Sequence, residues 1–335
     1  MSLSRSRESP TLSGPATTVD EPSRGPAPEF ARRRVPLRTR LRNDRTMLLL
    51  MLPGVGFLIV FYYVPLLGNV IAFQDYQPFV GFRHSQIVGF TNFQTLYNDP
   101  EFWNAVRNTL ILSVFQLILY FPAPLGLALL LNSLLSTNVR RFVQSIVYLP
   151  HFISWVLVVT LFQEVLGGAG LMNGFLRHHG MHTINIMENP GWFKLVVTGQ
   201  VIWKDTGWGT IIFLAALITV DTALYEAAAV DGAGKWGRLW HVTLPSIRSV
   251  TILLLVLRLG DVLSVGFEQL LLQRNAVGPG ASDVLDTFVY YNGVVDGNWS
   301  SSAAAGLAKG VIGAVLIYVA NRVAHAFGEA GVYSK

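Results

Sequence analysis

Residues 46–74 read TMLLLMLPGVGFLIVFYYVPLLGNVIAFQ, 29 positions without a single Asp, Glu, Lys or Arg. At about 1.5 Å of rise per residue, a helix of that length exceeds the ~30 Å hydrocarbon thickness of a bilayer. Arg32, Arg33, Arg34, Arg38, Arg40, Arg42 and Arg45 stand immediately before it. A basic cluster flanking an apolar run favours a membrane surface over nucleic acid. The run lacks a small-residue cleavage pattern and reads as an uncleaved spanning helix rather than a signal peptide.

Working outward, Asn108–Val139 and Phe142–Gln163 are uncharged runs of 32 and 22 residues. Three later stretches, about 195–220, 249–273 and 302–322, are apolar with isolated charges. The reading is an all-α integral membrane protein of six transmembrane helices, at about 47–73, 108–132, 142–165, 195–220, 249–273 and 302–322. Pro122 and Pro124 kink the second helix, and Pro150 falls near the start of the third. Residues 1–45, rich in Ser, Pro, Gly and Arg, have nothing to fold around and form a disordered basic tail ahead of a membrane domain over 46–335.

Composition agrees. Of 335 residues 51% are hydrophobic and 13% charged, against about 25% charged in soluble domains. The absence of Cys excludes disulfides, thiolate metal sites and cysteine nucleophiles. The net charge of +5 is flanking charge on membrane segments. The tail, Arg140 and Arg141, the 221–248 loop and the C-terminus hold most of the cations, whereas the intervening loops on the other side hold Arg83, Arg177 and Arg274. That bias places both termini in the cytoplasm.

The longest cytoplasmic loop, residues 221–248, reads DTALYEAAAVDGAGKWGRLWHVTLPSIR. Leu224, Ala227 and Ala228 share one helical face, as do Trp236, Leu239 and Trp240. Between them lies Asp231-Gly232-Ala233-Gly234, where Gly232 can end the first helix at positive φ, and Pro245 limits the second. An apolar face bearing two Trp either docks a partner or folds back on the bundle and the lipid interface.

Glu226-Ala227-Ala228, three residues, Gly232, nine residues and then Val242-Thr243-Leu244-Pro245 resembles the EAA motif of the membrane subunits of bacterial ABC importers, with Val242 in place of the usual Ile. Gly266-Phe267-Glu268-Gln269, the stretch Asp283–Tyr290, and Gly328-Glu329 with Tyr333 resemble the branch that imports complex oligosaccharides, including uronate-containing fragments. The resemblance implies a MetI-like permease bundle in a bacterial plasma membrane. It implies four kinds of company: a second permease subunit, two ATP-binding subunits that carry the ATP and Mg, an extracytoplasmic solute-binding protein, and membrane lipid. No cofactor is expected on this chain. By the same resemblance the loop is a coupling helix: Glu226 meets a basic residue of the ATPase, Asp231 and Gly232 form the bend, Ala227, Ala228, Leu239 and Trp240 pack in or support its groove, and Leu244 and Pro245 close the motif.

Charges inside apolar helices cost about 2.5–3.5 kcal/mol each at the bilayer centre and so face the bundle or water. Lys204, Asp205, Arg258, Asp261, Glu268 and Gln269 are the candidates for a translocation path. Arg258 and Asp261, three residues apart, can equally neutralise each other on one helix face. Gly232-Ala233-Gly234-Lys235 is no phosphate loop, since Trp236 stands where Ser or Thr would hold Mg²⁺. His178, His179 and His182 read as an exposed loop rather than a metal site, and Asn298-Trp299-Ser300 as a coincidental glycosylation signal. No clustered nucleophile, base and orienting group suggests an enzyme. The function expected is one half of the pathway of an ATP-driven importer for an oligosaccharide, with an ion-driven transporter or a membrane scaffold as alternatives.

Overall fold

The computed structural model describes residues 44–134, 136–326 and 328. All but the end of the expected tail, residues 1–45, lies outside the described residues. The chain divides into two units, residues 1–63 and 64–335.

In the first unit, α1 (Arg45–Leu58) passes into a π-helical turn, Ile59–Tyr63. None of its side chains is buried, and Leu50 and Phe61 are 78% and 62% exposed. A helix whose exposed side chains are this apolar is matched to lipid, not water. Phe57 and Phe61, four residues apart, put their ring centroids 4.7 Å apart.

The second unit is a helical bundle with one short hairpin, Gln74–Asp75 paired antiparallel with Gln86–Ile87. Its first long helix is α2 (Pro100–Phe115), continued through a π turn, Gln116–Tyr120, into α3 (Pro122–Asn132). The π turn has a direct cause. Pro122 and Pro124 cannot donate amide protons and crowd the preceding turn. The helix widens ahead of them, so that the Phe121 amide donates to the Gln116 carbonyl five residues back, at 2.9 Å.

The third span differs from the expected 142–165. Residues Thr137–Tyr148 form a separate helix, α4, and a 3₁₀ turn, Leu149–Phe152, holds Pro150. Ser154 then caps a new helix, α5 (Trp155–Leu166), by accepting from the Leu157 amide. The apolar span begins there and runs through a turn at 167–170 and α6 (Leu171–His178). The uncharged stretch is real, but Pro150 and the N-cap at Ser154 cut it in two.

The centre of the unit is α7 (Pro190–Ile218), which buries more of its surface than the other spans. Two glycines let it approach its neighbours. A Cβ on Gly207 would lie 2.0 Å from the Val147 carbonyl oxygen, and one on Gly209 would lie 2.8 Å from the ring of Pro124. Toward one end, Phe193 and Val197 pack with Leu112, Val265, Leu270 and Val284. Toward the other, Phe213, Leu214 and Leu217 pack with Ala128, Leu131 and Ile247.

The hairpin that follows comprises α8 (Thr222–Val230), α9 (Lys235–Arg238) and a π turn, Leu239–Thr243. It leads into α10 (Arg248–Gly260), which is bent by 62° from the stretch Lys235–Ser246. The expected single helix 249–273 is also broken. Residues 261–266 are non-helical, Gly266 sits at φ 109°, and α11 (Phe267–Val277) starts afresh. Only glycine takes that φ without strain. After α12 (Leu285–Tyr290), the last helix is α13 (Trp299–Ala326). It packs against α10, where a Cβ on Gly260 would lie 2.7 Å from Ile317. Among the described residues, five helices are long and apolar enough to cross a membrane, and the bent pair makes six.

Candidate functional site

The hairpin is built by local rules. Asp221 caps α8 by accepting from the Ala223 amide at 2.9 Å. At the other end Gly232 adopts φ 79°. The Ala233 amide then reaches back to the Ala228 carbonyl at 2.8 Å, and the Gly232 amide to Ala229 at 3.1 Å. This pair of reversed bonds about a left-handed glycine satisfies carbonyls that the helix end leaves open. The chain turns at Asp231–Gly234 and enters α9.

The two arms are tied by a side-chain bond absent from the sequence reading. Tyr225 Oη and Thr243 Oγ1 lie 3.1 Å apart, and Thr243 Oγ1 also donates to the Arg238 carbonyl at 3.3 Å. Thr243 sits one position before Leu244-Pro245, and its side chain is buried. Behind it Ile247, 1% exposed, anchors the hairpin in the bundle core with Leu244 packed alongside. Leu239 is half-buried, in a supporting position.

What the hairpin presents is apolar. Val230 is 88% exposed, Trp236 74% and Trp240 62%, with Leu224 also exposed. Glu226, Ala227, Asp231, Gly232 and Pro245 are exposed as well, while Ala228 is half-buried. Glu226 makes no side-chain hydrogen bond or ion pair among the described residues. Val230 was not singled out from the sequence, although its place as the last apolar residue before the glycine bend is a usable signal.

The residues proposed for a translocation path do not form one cluster. Lys204, 7% exposed, points its Nζ at the end of the 3₁₀ turn, 2.6 Å from the carbonyl oxygens of both His151 and Ile153. Its ammonium therefore satisfies carbonyls freed by the break at Pro150, and Trp155 lies 5.5 Å away as a cation–π partner. Asp205 pairs with His151 at 2.9 Å, and the His151 ring stacks on Trp208 at 4.5 Å and 7°. Arg258 does not pair with Asp261. It donates to Gln116 Oε1 across the bundle and lies 5.5 Å from the Tyr120 ring. Asp261 stands in the break after α10, and it and Glu268 are exposed without a side-chain partner among the described residues.

Gln269 belongs to a buried amide cluster that the sequence reading did not assemble. Its Nε2 donates to the Val197 carbonyl at 2.9 Å and to Gln200 Oε1 at 2.6 Å, and Gln273 Nε2 donates to the same Gln200 oxygen at 3.0 Å. All three glutamines are at most 3% exposed. Their signal is present in the sequence: Gln269 and Gln273 are spaced four apart on one helix face, and Gln200 interrupts an apolar helix. Interhelical amide bonds of this kind contribute about 0.6–2 kcal/mol each in membranes.

Two further ion pairs neutralise charges near the break. Lys309 on α13 bridges to Asp286 at 2.5 Å and to Ser264 at 3.0 Å. Arg274 grips Asp283 with two bonds of 2.7 and 2.9 Å and lies 3.6 Å from the Tyr291 ring. The hydrogen bond to Asp283 is the main reason the guanidinium is held above its usual pKa, with desolvation opposing.

A bundle of apolar spans that carries a bent, outwardly apolar helical hairpin defines a multi-pass membrane protein. The chain belongs to the family of binding-protein-dependent transport system inner membrane components, which it matches over residues 120–329. It is 44% identical to Protein LplB of Bacillus subtilis (strain 168), over 88% of this chain and 92% of that one. It is likewise 44% identical to the polygalacturonan/rhamnogalacturonan transport system permease protein YteP of the same organism, with the same coverage. Among solved structures it resembles a chain of a bacterial alginate ABC transporter in complex with an alginate pentasaccharide-bound periplasmic protein. That match has a TM-score of 0.81 at 35% identity, covering 88% of this chain and 99% of the other. The protein is thus an ABC importer permease, a multi-pass inner-membrane component.

Proposed function

We propose that this chain forms half of the translocation pathway of an importer for oligosaccharides cut from polysaccharides, and that its hairpin is the element through which ATP hydrolysis elsewhere drives it. The observation that carries the reading is the hairpin itself. A helix end closed by Gly232 presents Leu224, Val230, Trp236 and Trp240 together with Glu226, whose carboxylate has no partner among the described residues. An apolar patch with one acidic group suits a groove with a basic residue. In this reading the partners are a second permease, two ATP-binding subunits that hold ATP and Mg, and an extracytoplasmic solute-binding protein, with both termini cytoplasmic. The sugar class is supported by the names of the relatives and by the polysaccharide carried in the structural neighbour.

An ion-driven mechanism finds less support, because Lys204, Asp205 and Lys309 are engaged in bonds that hold helices together. The test is to purify the tagged chain from its native membrane with its partners and to measure ATP hydrolysis with and without a loaded binding protein. Co-purification of an ATPase whose rate rises with sugar is the expected result. A chain that purifies without ATPase activity, even after crosslinking, sinks the proposal.

A further inference from the structure

α10 has 13 residues, about 20 Å at 1.5 Å each, and by itself falls short of the ~30 Å of hydrocarbon. The chain continues into α11 only after the non-helical residues 261–266. Glycine stands at both edges of this break: Gly260 ends α10, and Gly266 takes φ 109° just before α11. Irregular backbone between membrane helices persists only where protein satisfies its polar groups. Here side chains do so. Ser113 donates to the Val262 carbonyl and Gln116 to that of Val265 at 3.1 Å, while Lys309 reaches Ser264 Oγ from α13 at 3.0 Å. Bonds of this kind can be exchanged without unwinding a helix.

The helices on the two sides of the break are held differently. α11 is fastened to α7 by Gln269 and Gln273, which both donate to Gln200, and by Leu270, packed with Phe193 and Val197. α10 leads from the hairpin and buries Val256. Its end meets α13 through glycine, where a Cβ on Gly313 would lie 3.7 Å from the Gly260 carbonyl oxygen. A helix joined to the hairpin thus adjoins a helix fixed to α7, with the break between them. Lys309 lies one turn before Gly313. Its ion pair with Asp286 on α12, at 2.5 Å, already neutralises both charges. Neutrality does not require the further bond to Ser264, and that bond is what ties the pair to the break.

We propose that residues 261–266 are the hinge through which movement of the hairpin reaches the outer half of the bundle, and that Lys309 is the latch that holds this hinge in its resting register. The inference rests on the importer reading above and adds the place inside the chain where the motion turns. When the hairpin is displaced, α10 swings about Gly260 and Gly266, α11 stays on α7, and Ser264 leaves Lys309, which keeps Asp286.

The experiment uses the whole transporter in lipid nanodiscs, with its partners' cysteines replaced. This chain contains no Cys, so spin labels can be placed at Leu257→Cys on α10 and Leu272→Cys on α11, both exposed. Trp192→Cys with Ile212→Cys, both on α7, is the reference pair. A swing of about 20° moves a label ~10 Å from the break by about 3–4 Å. That shift is expected between α10 and α11 on adding a non-hydrolysable ATP analogue and sugar-loaded binding protein, while the α7 pair stays fixed. Ser264→Ala leaves the ion pair intact and is expected to populate the shifted distance without nucleotide, and to raise ATP hydrolysis in the absence of sugar about threefold. Lys309→Met combined with Asp286→Asn is expected to do the same, and Lys309→Arg to behave as wild type. A fixed α10–α11 distance in a complex whose ATPase responds to sugar overturns the hinge and leaves the importer reading intact. A wild-type shift with Ser264→Ala and the double variant indistinguishable from wild type overturns the latch, as does a loss of both hydrolysis rates without a shifted distance. A complex without ATPase activity overturns both readings.

Discussion

Tyr225 and Thr243, eighteen residues apart, share a 3.1 Å hydrogen bond that joins the two arms of the hairpin. One partner directly precedes Glu226, the other directly precedes Leu244-Pro245, and the core residue Ile247 lies four positions further on. The bond thereby joins the arm that carries Glu226 to the segment that leads into α10.

Tyr225→Phe removes that bond and little else, for a cost of about 0.5–1.5 kcal/mol. Membrane insertion is expected to be normal, while the amount of sugar moved per ATP hydrolysed falls. An unchanged ratio of uptake to hydrolysis would show that the tie carries no force.

Gly232 has positive φ but open space around its Cβ position. Substitution therefore strains the backbone, by about 1–2 kcal/mol for a Cβ-bearing residue, without a collision. Asn tolerates the left-handed region best, so Gly232→Asn is expected to be mild and Gly232→Ala intermediate. Gly232→Asp, which also adds charge to the docking face, is expected to abolish sugar-stimulated ATPase while the protein still inserts. Normal stimulation in the Asp variant refutes the role given to this bend.

Gly207 and Gly199 lie on the same helix in opposite circumstances. A Cβ at 207 meets a backbone carbonyl at 2.0 Å, whereas nothing lies within 4 Å of one at 199. Gly207→Val must push α7 away from Val147 and is expected to lower the thermal midpoint sharply or to prevent recovery of folded protein. Gly199→Ala is expected to be neutral or stabilising by up to about 1 kcal/mol, since it trades chain freedom for helix propensity. Detergent-solubilised melting curves for the two variants decide the matter.

Lys204 serves the break at Pro150. Lys204→Met leaves the His151 and Ile153 carbonyls without their donor, at a cost of about 1–3 kcal/mol per unsatisfied group. The expected result is a less stable transporter whose KM for sugar is unchanged. A raised KM with unchanged stability would return Lys204 to the translocation path.

Legibility followed the range of the forces involved. The bilayer class needed only uncharged runs, and the hairpin needed only a glycine, a proline and apolar periodicity within 28 residues, because helix ends and turns are governed by neighbours. The break at Pro150 was within reach of the same rules, since Ser154 lies in N-cap position before Trp155. It was obscured because hydropathy runs through it undisturbed.

Residues 46–74 and 221–248 thus determined by themselves that the chain lives in a membrane and presents a bent, apolar hairpin. Tertiary structure alone decided the partners of the charges. Arg258 turned to Gln116 rather than to Asp261 three residues away, and Lys204 to carbonyls some fifty positions earlier. Local sequence sets which face a side chain occupies, but only the packing of helices brings distant faces together, and in a low-dielectric interior that meeting settles where each charge resides.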